Sequence, residues 1–359
     1  MTHPMPHSLQ ETLAHIQPLD ARDFTEAQRQ LDRLTKPQGS LGRLEAIAAQ
    51  CHAITRGKLT LPLRKGAYVF AADHGVSAEG VSAYPSEVTA QMVENFLQGG
   101  AAINVLARLH EVALVVIDAG VDAEFSDHPA LWRRKVRRGS RNMRIEPAMS
   151  PQELDHALTV GLEAADDAYR KGYALVAAGE MGIGNTTAAS AITAALTRQP
   201  VEAVTGAGTG IQSAARQAKQ QVIHQALERH LTGSVTPAPL DVLRCVGGLE
   251  IAAMTGFFLG AARHRKIIVM DGFIATAAAA LAAALAPPVR EYFLAGHRSQ
   301  EPGHAHLLRH LGLEPILHLE MRLGEGTGAV TAMPIIASAA HILGEMATFE
   351  SAGVSTATA

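Results

Sequence analysis

Short runs of aliphatic and β-branched residues recur along the chain. Between them lie longer stretches whose apolar positions return every third or fourth residue. The runs at 67–72 (AYVFAA), 113–118 (ALVVID), 173–178 (YALVAA), 267–271 (IIVMD) and 315–319 (PILHL) predict buried strands. Less regular runs at 201–205 and 292–295 add two candidates. Residues 85–109, 151–171 and 186–197 carry helical spacing. This alternation predicts an α/β fold: a doubly wound, mostly parallel, Rossmann-like sheet with helices on both faces.

The two ends of the chain read differently. Residues 31–45 (LDRLTKPQGSLGRLE) predict a helix, a break at Lys36-Pro37-Gln38-Gly39 and a second helix capped by Ser40. Residues 334–346 are again helical in pattern. A small helical domain is therefore expected from 1–62 together with 331–359, beside a large α/β domain over 63–330. The apolar run 274–288 (IATAAAALAAALAPP) is short for a bilayer span and ends in two prolines, which predicts a buried helix. The first residues show no basic start, apolar stretch or small-residue cleavage site, so a cytoplasmic protein is expected.

Four predicted strands run into turns of similar chemistry: Asp73-His74-Gly75, Asp118-Ala119-Gly120, Gly179-Glu180-Met181-Gly182 and Asp271-Gly272. Ligands of open parallel sheets bind outside the carboxyl ends of the strands, so these turns predict a binding crevice. The segment 179–187 (GEMGIGNTT) follows a strand and opens a helix. Its glycines, Asn185 and Thr186 suit an anion cradle of backbone N–H groups and hydroxyls. It lacks the Gly-Lys-Ser/Thr of an ATP-hydrolysing loop. A second glycine turn, Gly206-Ala207-Gly208-Thr209-Gly210, is not the GxGxxG of dinucleotide folds. It reads as a plain turn or a second phosphate contact, with Lys219 on the following helix as a point charge. The segment 322–328 (RLGEGTG) puts Arg322 and Glu325 among three glycines after the predicted strand 315–319. Glu325 is thereby the leading candidate for a general base.

Net charge is −3 (31 basic, 34 acidic), which excludes a general polyanion binder. A hydrophobic content of 47% against 18% charged excludes disorder. The seven basic residues of 132–144 (WRRKVRRGSRNMR) read as a solvated face, an interface or a contact for an anionic metabolite. Two cysteines, Cys51 and Cys245, make neither a disulfide framework nor a zinc site. The histidines between 297 and 318 include His306 and His310 at helical spacing, but no HExxH appears. They are expected to be solvated or hydrogen-bonded rather than metal ligands. A dehydrogenase would need the missing dinucleotide fingerprint. A non-catalytic nucleotide-binding sensor would keep the anion cradles without needing a poised carboxylate.

Several long segments together resemble the nicotinate-nucleotide:dimethylbenzimidazole phosphoribosyltransferase family. They are 36–45, 72–89, 99–107, 179–187, 246–262, 271–283 and 311–329, in that order over almost the whole chain. The resemblance implies transfer of phosphoribose from nicotinate mononucleotide to a benzimidazole, the step that activates the lower axial base of cobalamin. It implies homodimers and neither metal nor cofactor. On this resemblance Glu325 of LGEG is the catalytic base, and Glu180 is a second carboxylate lining the site. Gly182, Gly184, Asn185, Thr186, Gly206, Gly208, Lys219, Arg322 and Gly324 match the nucleotide-holding segments. Tyr84, Met92, Met181 and Leu323 match the base pocket.

The chain departs from some relatives in that pocket. Tyr84 and Met92 stand where smaller or more polar residues occur in others, and Met181 stands for Leu. Methionine is adaptable and tyrosine adds a hydroxyl, so acceptance of purines and phenols besides benzimidazoles is expected. Combining Tyr84→Ser, Met92→Gln and Met181→Leu should narrow the range of acceptors. A base panel resolved by chromatography checks this; unchanged selectivity removes the idea.

Overall fold

The protein is described from a computed structural model covering residues 7–208, 210, 212–232 and 237–355. Thr209 and the ends of the expected helical domain (1–6 and 356–359) lie outside the described residues. Six strands form one sheet: β1 (Lys65–Ala72), β2 (Val112–Gly120), β3 (Leu131–Arg133), β4 (Leu175–Met181), β5 (Ile267–Met270) and β6 (Phe293–Ala295). Their order is β3-β2-β1-β4-β5-β6, and every pair is parallel. This is the doubly wound order, with its switch point between β1 and β4.

The central strands are continuous apolar runs because both faces are covered. Helix Leu249–Arg263 packs on β1, β2, β4 and β5 and is overlaid by helix Pro151–Arg170. Fourteen of its fifteen residues are buried, which accounts for its all-round apolar sequence. Glycines allow these two helices to touch along their backbones. A Cβ on Gly161 would lie 1.8 Å from the Ala253 carbonyl oxygen, and one on Gly256 would lie 2.1 Å from that of Leu158. Helices Glu87–Gln98, Ala102–Leu109 and Thr327–Glu345 also pack on the sheet. The run 274–288 forms the buried helix Phe273–Leu285.

Four expected features differ, and one strand is new. Residues 315–319 form no strand; only Leu317 makes a single bridge, to His297. Residues 201–205 hold the short helix Val201–Val204, because the stretch packs onto helices Asn185–Thr197 and Ser213–Leu231 instead of a strand edge. The region 85–109 is two helices, broken where Gly99 turns left-handed (φ 78°). Helix Arg43–Thr55 starts after Gly42 with no side-chain cap, so Ser40 is not its cap. Glu45 instead accepts the Leu41 N–H (3.0 Å) and pairs with buried Lys36 (2.8 Å). Strand β3 is an addition, too short to leave a periodic signal in the residues.

Helix Thr327–Glu345 is long and apolar enough to cross a membrane by composition alone. Over half of it is buried here, against the sheet and helices Ala21–Arg33 and Arg43–Thr55.

Because the glycine contacts are backbone to backbone, Gly161→Ala should destabilise the fold by about 1–3 kcal/mol through overpacking. Urea unfolding checks this as a lower midpoint at unchanged slope.

Candidate active site

A cavity of ≈ 520 Å³ opens at the carboxyl ends of β4 and β5, beside the switch point. Of the four glycine-acid turns, those after β4 and β5 line it, through Glu180, Met181, Gly182 and Gly272. The other two are consumed by structure. Asp118 accepts the Val121 N–H (2.9 Å) and pairs with Lys135 (2.7 Å), while Asp73 accepts the Asp122 N–H (2.8 Å).

Glu325 sits on a turn of three left-handed residues: Gly324 (φ 89°), Glu325 (φ 61°) and Gly326 (φ 88°). A non-glycine residue there is uncommon, and such strain clusters at functional sites. The turn faces the cavity without help from a strand at 315–319, because it rests directly on β4. A Cβ on Gly179 would lie 2.3 Å from the Glu325 carbonyl carbon, and the Glu325 N–H donates to the Glu180 carbonyl (3.3 Å). A Cβ on Gly324 would lie 2.2 Å from Glu180 Oε1. The two carboxylates therefore share one cavity wall.

The Glu325 side chain is 4% exposed, and Oε2 accepts the Ile103 N–H (3.3 Å). Burial raises its pKa against that hydrogen bond, and the charge of Asp271 adds to the rise. Glu180 is buried and its pKa lies well above the carboxylate range. Burial is the main cause, with the charges of Asp271 and Glu250 next, against the Asn185 amide that donates to Oε2. Both carboxyls are thus raised, Glu180 the more strongly, which sets the proton affinities of two neighbouring acids apart.

The helix start expected as an anion cradle lies in the cavity wall, where the Asn185 and Thr187 N–H groups donate to the carbonyls of Gly182 (3.1 Å) and Gly184 (2.9 Å). Helix Asn185–Thr197 starts after Gly184 (φ 97°), and Thr186 Oγ1 accepts from Lys219 Nζ (2.7 Å). Thr89 Oγ1 accepts the Ile183 N–H (3.1 Å), fixing the loop from the other side. Gly208 lies over this pair; its Cβ would stand 2.8 Å from Thr186 Oγ1 and 3.2 Å from Lys219 Nζ. The Gly208 N–H donates to Glu301 Oε1 (2.9 Å), and Arg322 Nη1 donates to the Gly208 carbonyl (3.4 Å). Gly206 is pressed against Glu301, where a Cβ would lie 2.1 Å from Oε2. Burial lowers the Lys219 pKa to about 8, against the charge of Glu301.

Tyr84, Met92, Met181 and Leu323 form an apolar side of the cavity. Tyr84 (55% exposed) and Leu323 (57% exposed) stand at its mouth, an arrangement suited to a flat ring. Of the expected site residues, Gly184, Gly206 and Lys219 support the wall from behind; the others line it.

Several lining residues are not among the candidates read from the sequence: Val88, Ile183, Phe273, Ile274, His297, Ser299 and Glu301. Those at 297–301 follow β6, so the strand-end rule applied to 292–295 would have found them. His74 and Glu250, both fully buried, pair at 2.6 Å beneath the cradle. A Cβ on Gly182 would approach both side chains, 3.3 Å from His74 Cδ2 and 3.4 Å from Glu250 Oε1. Burial opposes protonation of His74, but Glu250 and Asp73 outweigh it and raise the pKa. His304 is buried and neutral, its pKa pushed down to about 3 by burial; Nδ1 accepts the Ser299 N–H (2.8 Å). Among the described residues no three metal-ligating side chains cluster.

The basic stretch 132–144 contacts no part of the cavity. It is matched by acids: Arg134 with Glu163 (3.0 Å), Lys135 with Asp118, and Arg133, Arg138, Arg141 and Arg144 with Asp127, Glu124, Glu153 and Glu79. Most of these pairs lie at the surface, and none of the residues of the stretch lines this cleft.

A doubly wound sheet whose switch-point cleft joins an anion cradle to two buried carboxylates defines a class. It is that of α/β proteins that hold a phosphorylated small molecule against acid–base groups. Within that class, residues 16–354 match the family model DBI_PRT, described as Phosphoribosyltransferase, and the chain belongs to this family. It is 53% identical over 353 residues to the nicotinate-nucleotide–dimethylbenzimidazole phosphoribosyltransferase of Chloroflexus aurantiacus, covering 97% of this chain and 98% of that one. The enzyme of the same name from Geobacter sulfurreducens is 51% identical over 346 residues, covering 96% and 98%. The crystal structure of CobT from Thermus thermophilus superposes with a TM-score of 0.89 at 50% identity, covering 94% of this chain and all of that one.

An anion in the cradle gains from Lys219 only while the amine is charged. Sulfate, whose charge is constant over this range, should therefore bind more weakly as pH rises through about 8. Titration calorimetry checks this, and Lys219→Met should bind weakly at every pH.

Proposed function

We propose that this cleft transfers 5-phosphoribose from nicotinate mononucleotide to 5,6-dimethylbenzimidazole or a related flat base. The products are α-ribazole 5'-phosphate and nicotinate, in assembly of the cobalamin nucleotide loop. The carrying observation is Glu325: a buried carboxylate on a left-handed turn, in the same cavity as the cradle. The names of the relatives at about half identity supply the substrates. A non-catalytic sensor would need the cradle but has no use for a strained, desolvated carboxylate.

The phosphate sits at the start of helix Asn185–Thr197, against Asn185, Thr186 and Gly208, with Lys219 behind the Thr186 hydroxyl. The ring of the acceptor lies between Tyr84, Met92, Met181 and Leu323. Its bare nitrogen attacks the anomeric carbon while the bond from that carbon to the nicotinate ring nitrogen breaks. The bonding pair returns to that nitrogen, turning a cationic pyridinium into a neutral pyridine. The attacking ring becomes cationic, its remaining N–H becomes acidic, and Glu325 takes the proton. Attack opposite the leaving group inverts the anomeric centre and gives the α product. Glu180, kept neutral, stands beside the sugar as a hydrogen-bond donor. Phosphate binding energy aligns the sugar, and alignment plus one base supplies the rate.

The cytoplasmic location belongs to the same proposal, and so does the homodimer, which rests on the family resemblance. So does the division into a helical domain (1–62 with 331–359) and an α/β domain (63–330). It is supported by the packing of helices Ala21–Arg33 and Arg43–Thr55 on helix Thr327–Glu345.

Purified protein with nicotinate mononucleotide and 5,6-dimethylbenzimidazole should yield α-ribazole phosphate and equal nicotinate, resolved by chromatography and mass spectrometry. Nucleotide binding with no product from any acceptor would favour the sensor. Glu325→Gln should lower kcat by about 10²–10⁴ with nucleotide affinity retained. Glu180→Gln, which mimics a neutral acid, should lower it less. Wild-type turnover in Glu325→Gln would sink the base assignment. Because Glu325 must be ionised, kcat should fall as pH drops through its raised pKa.

A further inference from the structure

We infer that Asp271 is a positioning residue for this reaction: its carboxylate staples the left-handed turn that presents Glu325 and holds a negative charge behind that base. The inference rests on the reading of Glu325 as the base. Asp271 directly follows β5, is 2% exposed and does not line the cavity. Its Oδ2 accepts the Gly326 N–H (3.1 Å), and its Oδ1 accepts those of Gly328 (2.7 Å) and Ala329 (3.1 Å). These are orphan donors at the start of helix Thr327–Glu345, which has no side-chain cap of its own. One of them belongs to the residue directly after Glu325. A turn of three consecutive left-handed residues is held only where surrounding bonds over-determine it. Asp271, just past the end of β5, supplies one such bond to the turn, at Gly326, and two to the first helical turn that follows it.

The charge of the same carboxylate acts on both cavity acids. The charged and titratable groups around it are Glu180 from β4, Glu325 from the turn, and His297 after β6. His297 Nε2 stands 3.7 Å from Oδ1. Burial raises the Asp271 pKa, against His297 and the backbone N–H groups that lower it, and the His297 ring fills the space where a Cβ on Gly328 would fall, 1.9 Å from Cδ2. From helix Ala102–Leu109 only the Ile103 backbone N–H reaches Glu325. Glu250, from helix Leu249–Arg263, bears on Glu180. An Asn at 271 keeps one carbonyl oxygen but turns an NH₂ toward another N–H, so it loses both the staple on Gly326 and the charge.

The test compares Asp271→Asn and Gly326→Ala in steady-state turnover over pH, with nicotinate mononucleotide affinity measured by calorimetry. Asp271→Asn should keep that affinity within about twofold, lower kcat at least ~10-fold, and move the acid limb of kcat down by about one pH unit. Gly326→Ala disturbs the turn (φ 88°) but keeps the charge, so kcat should fall with the acid limb unmoved. Wild-type kcat and acid limb in Asp271→Asn, or wild-type kcat in Gly326→Ala, overturns the inference. If Asp271→Asn does not fold, Gly326→Ala alone decides the staple. Glu325→Gln in the same assay keeps the two readings apart. Full turnover there removes the base, whereas a slow Glu325→Gln beside an unaffected Asp271→Asn removes only the role of Asp271.

Discussion

The contact between the end of β4 and the Glu325 turn is the constraint on which the site depends. Gly179 leaves no room for a side chain, since a Cβ would fall 2.3 Å from the carbonyl of Glu325 and 2.5 Å from the nitrogen of Gly326. Gly324 likewise lies on the Glu180 carboxyl. Backbone therefore meets backbone, and two acids from distant parts of the chain come to one wall. The left-handed turn and the two desolvated carboxyls each cost stability. The opposing contribution comes from what the turn begins: a helix packed on β4, β5 and the N-terminal helices.

Burying so many acids in one cleft is tolerable because each has a different partner. Asp271 takes three backbone N–H groups, Glu301 takes that of Gly208, and Glu250 pairs with His74. Glu180 accepts from the Asn185 amide and lies near other acids, and with its burial these raise its pKa well above the usual carboxylate value. Glu325 has one weak backbone donor and the larger freedom to ionise. The difference in proton affinity between two similar side chains thus follows from which donors and which charges the fold leaves within reach of each.

Much of this was legible in the residues. Runs such as 67–72 and 267–271 are strands because burial on both faces demands unbroken apolar sequence. The acid-and-glycine turns after β4 and β5 showed where a ligand would lie, and Glu180 and Glu325 were visible as acids in glycine loops. The pattern failed where tertiary context decides. Residues 315–319 look like 267–271, but only Leu317 finds a neighbour, at His297. Residues 201–205 are β-branched at several positions yet turn helical against two other helices. No local signal says that Asp271 reaches across to 326–329 or that His74 meets Glu250. Those bonds join residues far apart in the chain. Nor could a count of charges reveal that 132–144 is matched by acids scattered from Glu79 to Glu163.

The two halves of the site stand on independent supports, and that separation has a chemical consequence. The cradle is held by helix Asn185–Thr197, Lys219 from helix Ser213–Leu231 and Thr89 from helix Glu87–Gln98. The base is held by β4, Asp271 and helix Thr327–Glu345. Glu180 and Asn185 join them, being part of the cradle loop at one end and the base wall at the other. In the proposed reaction a phosphate at the first support stands at a set distance from Glu325 at the second, with the sugar spanning the gap. Binding energy gained at a group that does not react then goes into aligning the anomeric carbon with the incoming ring nitrogen. A softer join would let the phosphate bind equally well and the reaction run slowly. The Asn185–Glu180 hydrogen bond is the join through which the two supports, and the groups at either end, keep one geometry.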